Sequence, residues 1–221
     1  MLLSPINFIG AAAILSSLAS AAPTAAPVYP PKTTSQNFQL IANVTANDLT
    51  PSIQNYVVAS YHTGAGEAYA VLMPDLSSGR IFYVNGTASD VRFGNSNILS
   101  DEGLNQATPP FPAGLAIDSA NAVSINAGAG QPGIVLTQFP DPITELAVGG
   151  GDGFYACESQ LVYGNAVQLF SKGSGETPDG CADVTLLPQC SEDSGAAHPY
   201  GQTVNCYADV AGIDWSVYSS D

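Results

Sequence analysis

Positive charge is what this sequence most lacks. Lys and Arg number 4 against 19 Asp and Glu, for a formal net charge of −15 over 221 residues. So few cations cannot build the basic patch whose counterion release drives nucleic-acid binding. Electrostatic attachment to an anionic membrane surface is excluded for the same reason. Charge of either sign is scarce. Charged residues make up 10% of the chain and hydrophobic ones 45%, which separates it from a disordered acidic tail. Its surface must be covered largely by Ser, Thr, Asn, Gln and Gly. No segment of ten or more residues carries a convincing 3.6-residue apolar period, so little helix is expected. Imidazoles are limited to His62 and His198. With no G-x-S-x-G elbow, serine-hydrolase chemistry of that kind has no support, and a tight zinc site lacks ligands.

What is present reads as strand and turn. The 22 Gly and 16 Pro punctuate short β-prone runs. Such runs are Phe38 to Thr45, Tyr56 to Tyr61, Ala68 to Met73, Arg80 to Val84, Leu115 to Ile117, Ala122 to Ile125 and Ile134 to Phe139. Phe154 to Cys157, Val167 to Phe170 and Ala182 to Leu187 continue the series. Short strands at this spacing predict an all-β fold, an antiparallel β-sandwich or barrel-like body with a disulfide-stapled C-terminal half. Thr50-Pro51 resembles a helix start, Asp90 to Phe93 is expected to pair back on Arg80 to Val84, and residues 94–114 read as a long loop. Tyr207 to Trp215 is expected to make one or two helical turns. SYHTGAGEAYAVL (60–72) echoes SINAGAGQPGIVL (124–136), either a duplicated β unit or chance convergence of Gly/Ala turns, the latter favoured.

The organisation expected is a signal peptide at 1–21, a Pro/Ala/Thr-rich leader at 22–36 and one β-rich domain at 37–221. An apolar run from Ile6 to Leu18 precedes the small-x-small site Ala19-Ser20-Ala21, although the n-region holds no Lys or Arg. That run is too short to span about 30 Å of hydrocarbon, and no later stretch is long and apolar enough. The polar end DWSVYSSD carries no lipid-anchor signal. In the leader, Thr24, Thr33, Thr34 and Ser35 are either O-glycosylation sites or parts of a plain flexible segment.

Export bears on the cysteines. In an oxidising compartment, four are expected as two disulfides, and their spacing lacks the C-x-x-C of zinc ligands. Cys157, Cys181, Cys190 and Cys206 allow three connectivities. Cys157–Cys181 with Cys190–Cys206 is favoured, the first joining two strands and the second tying down the last loop. The sequons Asn43-Val44-Thr45 and Asn85-Gly86-Thr87 are candidate N-glycosylation sites. Asn85 sits at an Asn-Gly turn, while Asn43 lies in an expected strand and must face solvent.

Other motifs weaken on inspection. Gly128 to Gly133 satisfies G-x-G-x-x-G, but a strand follows and Pro132 interrupts any early helix, so a turn is expected. Gly149 to Gly153 is similar to one copy of a calcium-binding glycine-rich repeat, and one copy cannot build that coil. His62 precedes the Gly64-Ala65-Gly66 turn near Glu67, so a small polar site is conceivable there, with a turn histidine the default. A carboxylate pair for glycoside hydrolysis would come from Glu67, Asp141, Glu145, Asp152 and Glu158, and nothing in the sequence selects two of them. Some of the 10 Tyr, 8 Phe and 1 Trp could form a sugar-stacking platform, with most expected in the core.

The blocks LIANVT, DLTPSIQNYVVASYHTGAGEAYAVL, RIFYVNGT, SINAGAG, FPDP, GFYAC, DGCADVTLLPQC and VNCYADV together are specific. From about Phe38 to Trp215, the chain resembles a family of small secreted proteins of filamentous fungi, some labelled IgE-binding protein. That resemblance implies no catalytic residues. FYAC…GC is similar to the end of fungal cell-wall β-sandwich proteins, which implies Cys157–Cys181. The expectation is a secreted, acidic, non-enzymatic glycoprotein, extracellular or wall-associated. It would have no cofactor or metal, be a monomer, and have a cell-wall polysaccharide or another extracellular protein as partner. Two alternatives stand beside it: a carbohydrate-active hydrolase with a carboxylate pair, and an effector that binds a host protein through an apolar patch around Phe111.

Overall fold

The computed structural model describes residues 29–102, 110–138, 141–149, 153–192 and 196–218. The expected signal peptide, residues 22–28 of the leader, residues 103–109 of the expected loop, Phe139, and residues 150–152 of the glycine-rich run with Asp152 lie outside them.

Strand alternation builds the central pair. In β2 (Asn37–Ala46, with β1, Thr33–Ser35, before it), Phe38, Leu40 and Ala42 point inward and are fully buried. Gln39, Asn43 and Thr45 take the opposite face. Its partner β13 (Cys181–Ser191) runs antiparallel along its length, with Thr185 opposite Asn43 and Leu187 opposite Ile41. Between them in sequence lie β3 (Val57–Gly64), β4 (Glu67–Met73), β5 (Phe82–Asn85), β6 (Asn97–Glu102), β7 (Phe111–Ile117), β8 (Val123–Ala127), β9 (Ile134–Leu136), β10 (Leu146–Val148), β11 (Phe154–Leu161) and β12 (Gly164–Ser171). The short β14 (Gly201–Gln202) and β15 (Val204–Cys206) follow.

The architecture is all-β and antiparallel, dominated by an 11-stranded sheet. That sheet closes on itself. β2, β3, β4, β12, β11 and β13 pair in a ring, and β5 to β8 form a second ring that shares β2, β3 and β4. Closure removes most of the open edge that a flat sheet would expose. A continuous core fills the inside, with Phe38, Phe82, Phe154, Leu115, Ile98 and Ile125 among its largest members.

A second apolar cluster lies on the outer face of β2, β3 and β13. It comprises Ile41, Val57, Leu187, Tyr207 and Val210, with Ile143, Ile213 and Trp215 at its margin. Burying each aliphatic side chain there contributes about 1.5–3 kcal/mol. That is why the irregular segment after Cys206 lies against the sheet.

Several expectations change. Thr50-Pro51 opens no helix; the Asp48 carboxylate accepts from Ser52 Oγ at 2.5 Å and Ile53 N at 3.1 Å and holds a turn instead. Asp90 to Phe93 is no strand. Thr87 and Asp90 cap each other and nucleate the one-turn helix α1 (Ala88–Arg92). The long loop contains β6 and the start of β7. β6 was hidden because its buried Ser100 and Asp101 read as loop residues. Arg80 satisfies them, Nε donating to Ser100 Oγ at 3.1 Å and Nη2 to the Asp101 carbonyl at 2.7 Å. Tyr207 to Trp215 is irregular, with a 3₁₀ turn only at Trp215–Val217. Thr33 to Ser35, in the stretch read as leader, pair with β15 as β1, so the folded body begins earlier.

Of the glycines at 128–133, Gly130 serves packing, while Gly128 and Gly133 adopt positive φ with open space around them. Gly130 has φ of +70°, and a Cβ on Gly114 of β7 would lie 2.2 Å from the Gly130 Cα. The two echoed segments also differ: 60–72 is the β3–β4 hairpin, whereas β9 pairs with β10 and not with β8.

Two disulfides staple the C-terminal half, Cys157–Cys181 and Cys190–Cys206. The first links directly opposed residues of β11 and β13. The second links β13 to β15.

Candidate functional site

An open groove of about 470 Å³ lies on the outer face of β2 and β13. Asn43, Thr45, Thr185 and Leu187 form its floor. All four are odd-numbered, so the β2–β13 register places them on one face. The β9–β10 hairpin forms one wall, contributing Thr137, Asp141, Ile143 and Glu145, and Trp215 and Tyr218 stand on the other.

Each wall is held. Thr137 Oγ1 donates to the Ile143 carbonyl at 2.8 Å and accepts from Glu145 N at 3.0 Å. Thr144 N donates to the Tyr207 hydroxyl oxygen at 2.7 Å, which ties the hairpin to the C-terminal segment. Trp215 Nε1 donates to the Val210 carbonyl at 3.0 Å, and its ring meets Tyr207 edge-on at 4.9 Å. Tyr218 lies 6.1 Å from Trp215 at 60°. Burial, with the Asp141 charge second, raises the Glu145 carboxyl above its ordinary value. The groove thus offers two aromatic rings, neutral hydrogen-bonding groups, the Asp141 carboxylate, and a Glu145 carboxyl biased towards its protonated form.

The Asn43 amide is engaged on the floor. Its Nδ2 donates to Thr185 Oγ1 at 3.3 Å, and its Oδ1 accepts from Gln54 Nε2 at 3.1 Å. Asn85 ends β5, opposite Asn97 and Gly201, and lines neither cavity.

The second cavity, of about 300 Å³, gathers His62, Glu67 and Phe111 with Ser60, Arg80 and Glu102. His62 and Glu67 were adjacent candidates on one hairpin. Phe111 joins them because β7 pairs with β6, setting Phe111 opposite Glu102, and because Ala127 N donates to the Gly66 carbonyl at 2.8 Å. Phe111 is therefore a strand residue, 43% exposed. Arg80 pairs with Glu102 at 2.9 Å, so the cation in this cavity is already bound.

Of the carboxylate candidates, Asp141 and Glu145 share the groove, Glu67 lies in the other cavity, and Glu158 is exposed on β11. His198 is internal. Its Nε2 lies 2.8 Å from Asp101 Oδ2, and its ring stacks on Tyr83 at 3.6 Å. Burial, with the Asp101 charge second, pushes the Tyr83 phenol up to about 12. Sequence reasoning missed Trp215, Tyr218 and Thr185. The one signal available was a lone Trp in an otherwise polar tail.

The model of a family described as a domain of unknown function (DUF7907) matches residues 35–190. The match takes in the groove floor and the hairpin and stops short of Trp215 and Tyr218. The antigenic protein SchS34 of Stachybotrys chartarum is 35% identical over 218 residues, covering 87% of this chain and 95% of that protein. No solved structure matches.

Proposed function

This chain belongs to the DUF7907 family, and from that premise we propose an exported, acidic, non-enzymatic glycoprotein of the extracellular space or cell wall that binds a neutral polysaccharide in the groove. The observation carrying this reading is the pairing of Trp215 and Tyr218 with an uncharged floor of Asn43, Thr45 and Thr185. Pyranose rings present apolar C–H faces and a rim of hydroxyls, which suit stacking on an aromatic ring above hydrogen-bonding amides and alcohols. Two disulfides suit an oxidising compartment. With a net charge of −15, the chain has little to attract polyanions, so a neutral polymer is the natural ligand.

The test is co-sedimentation of the mature chain, with and without its N-glycans, with chitin, β-glucan and mannan. One polymer should retain it, and Trp215→Ala should weaken retention about tenfold, the size of one aromatic contact. A protein that stays wholly in solution with every polymer defeats the reading.

A second reading has one observation in its favour. Asp141 and Glu145 line the same groove, and the Glu145 carboxyl is raised as a general acid requires. Release of reducing ends from a bound polymer, abolished by Glu145→Gln, would establish it. Retention without release would leave the binding reading alone.

A further inference from the structure

The groove floor carries its own sequon. The pleat of β2 puts Asn43 and Thr45 on the same outward face, and both side chains line the cavity that Trp215, Tyr218, Asp141 and Glu145 enclose. Anything attached to the Asn43 amide therefore starts inside the groove, where about 470 Å³ is within the size range of a small-ligand site. We infer that Asn43 is an N-glycan attachment site whose first sugars occupy the groove, so that the modified chain presents a filled groove and the unmodified chain an open one.

The chemistry is compatible with the folded contacts. In the transfer, Asn43 Nδ2 bonds to the anomeric carbon of an oligosaccharide as the bond from that carbon to a lipid diphosphate carrier breaks. The amide loses one proton and keeps one N–H, and its carbonyl oxygen is untouched. One donor thus remains for Thr185 Oγ1 and one acceptor for Gln54 Nε2, the two partners Asn43 has in the fold. The attached sugar then meets the same rings and hydroxyls that suit an external glycan. Attachment at Asn43 thereby becomes a covalent competitor for the proposed ligand. Asn85 is an internal reference, since a glycan there grows from the end of β5, away from the groove.

This inference rests on the export and glycan-binding reading above, and the two fail separately. The full chain is made in a eukaryotic secretory host, and peptide mapping reads occupancy at both sequons. The native protein is then treated with an N-glycan-cleaving endoglycosidase. Glycan at Asn43 should be released at least tenfold more slowly than at Asn85, and at the same rate once the chain is unfolded. For retention, an Asn85→Gln chain made with N-glycosylation blocked keeps both floor side chains, and polysaccharide should hold it at least tenfold more strongly than the same chain carrying the Asn43 glycan. An unmodified Asn43 in the wild type overturns the inference, as does release as fast as at Asn85. Shielded glycan at Asn43 with no retention of the glycan-free chain supports the glycan's placement and defeats the binding reading instead.

Discussion

Removing the two disulfides separately should have similar global cost and different local effect. They close loops of 24 and 16 residues in sequence separation. The chain-entropy relation assigns about 3.5 kcal/mol to the first and about 3.1 kcal/mol to the second. At about 2–4 °C per kcal/mol for a chain of this size, each Cys→Ala pair should lower Tm by roughly 6–14 °C. Locally they differ. Cys157 and Cys181 are opposed at a Cα separation of 4.5 Å within a ladder, and the hydrogen bonds of β11 and β13 keep that register without the bond. β15 has only three residues and pairs with the equally short β1. Beyond the disulfide, two backbone bonds tie its end to β13, Cys190 N to the Tyr207 carbonyl and Tyr207 N to the Pro188 carbonyl, both 2.9 Å. The segment carrying Trp215 and Tyr218 follows. Trp215 is the lone tryptophan of the chain, so its fluorescence reports that segment alone. Under native conditions, Cys190→Ala/Cys206→Ala should red-shift the emission and admit acrylamide, while Cys157→Ala/Cys181→Ala should leave both unchanged. An unshifted spectrum in the first variant, or equal shifts in the two, would refute the argument that the second disulfide holds the groove wall.

Glu145 links stability to pH. Its folded-state carboxyl is raised above the unfolded value, so the native state holds that proton more tightly; the stabilisation is complete below the unfolded pKa and is lost as pH rises through the folded one. Melting curves across this window should show wild type losing stability relative to Glu145→Gln, and parallel curves would contradict the assignment. Asp101→Ala should cost about 1–3 kcal/mol in urea denaturation, because the buried His198 ring loses its 2.8 Å partner, with Asp101→Asn recovering part of it. An effect under about 0.5 kcal/mol would show that the pair is structurally idle. Gly114→Ala should cost about 1–3 kcal/mol by driving a methyl into the Gly130 backbone, 2.2 Å away. A neutral result would mean that the 128–131 turn shifts freely.

Period-two runs such as FQLIANVT report the inner face of a strand directly, because neighbouring side chains point to opposite sides whatever the strand's partners. That is why the strands of the central pair and the disulfide-bearing half were legible. β6 was not, since Ser100 and Asp101 are held inside by Arg80 and His198, and His198 comes from a distant segment. The glycine motif at 128–133 and the hairpin pair His62 and Glu67 were readable because each is a local arrangement. The meeting of Phe111 with that pair was not, because it depends on the β6–β7 register and on a backbone bond between two turns.

Sequence alone determined the β class, the lack of any cationic surface, and the sequons and cysteines as chemical possibilities. Tertiary structure decided that Asn43, Thr185, Asp141, Glu145 and Trp215 share one groove. It also decided that Ile41 and Leu187, on the outer faces of their strands, are buried beneath the C-terminal segment. The physical reason is distance along the chain. Alternation is written within a few residues, whereas a groove lined by residues up to 175 positions apart exists only once strand register and the docking of the tail have been set.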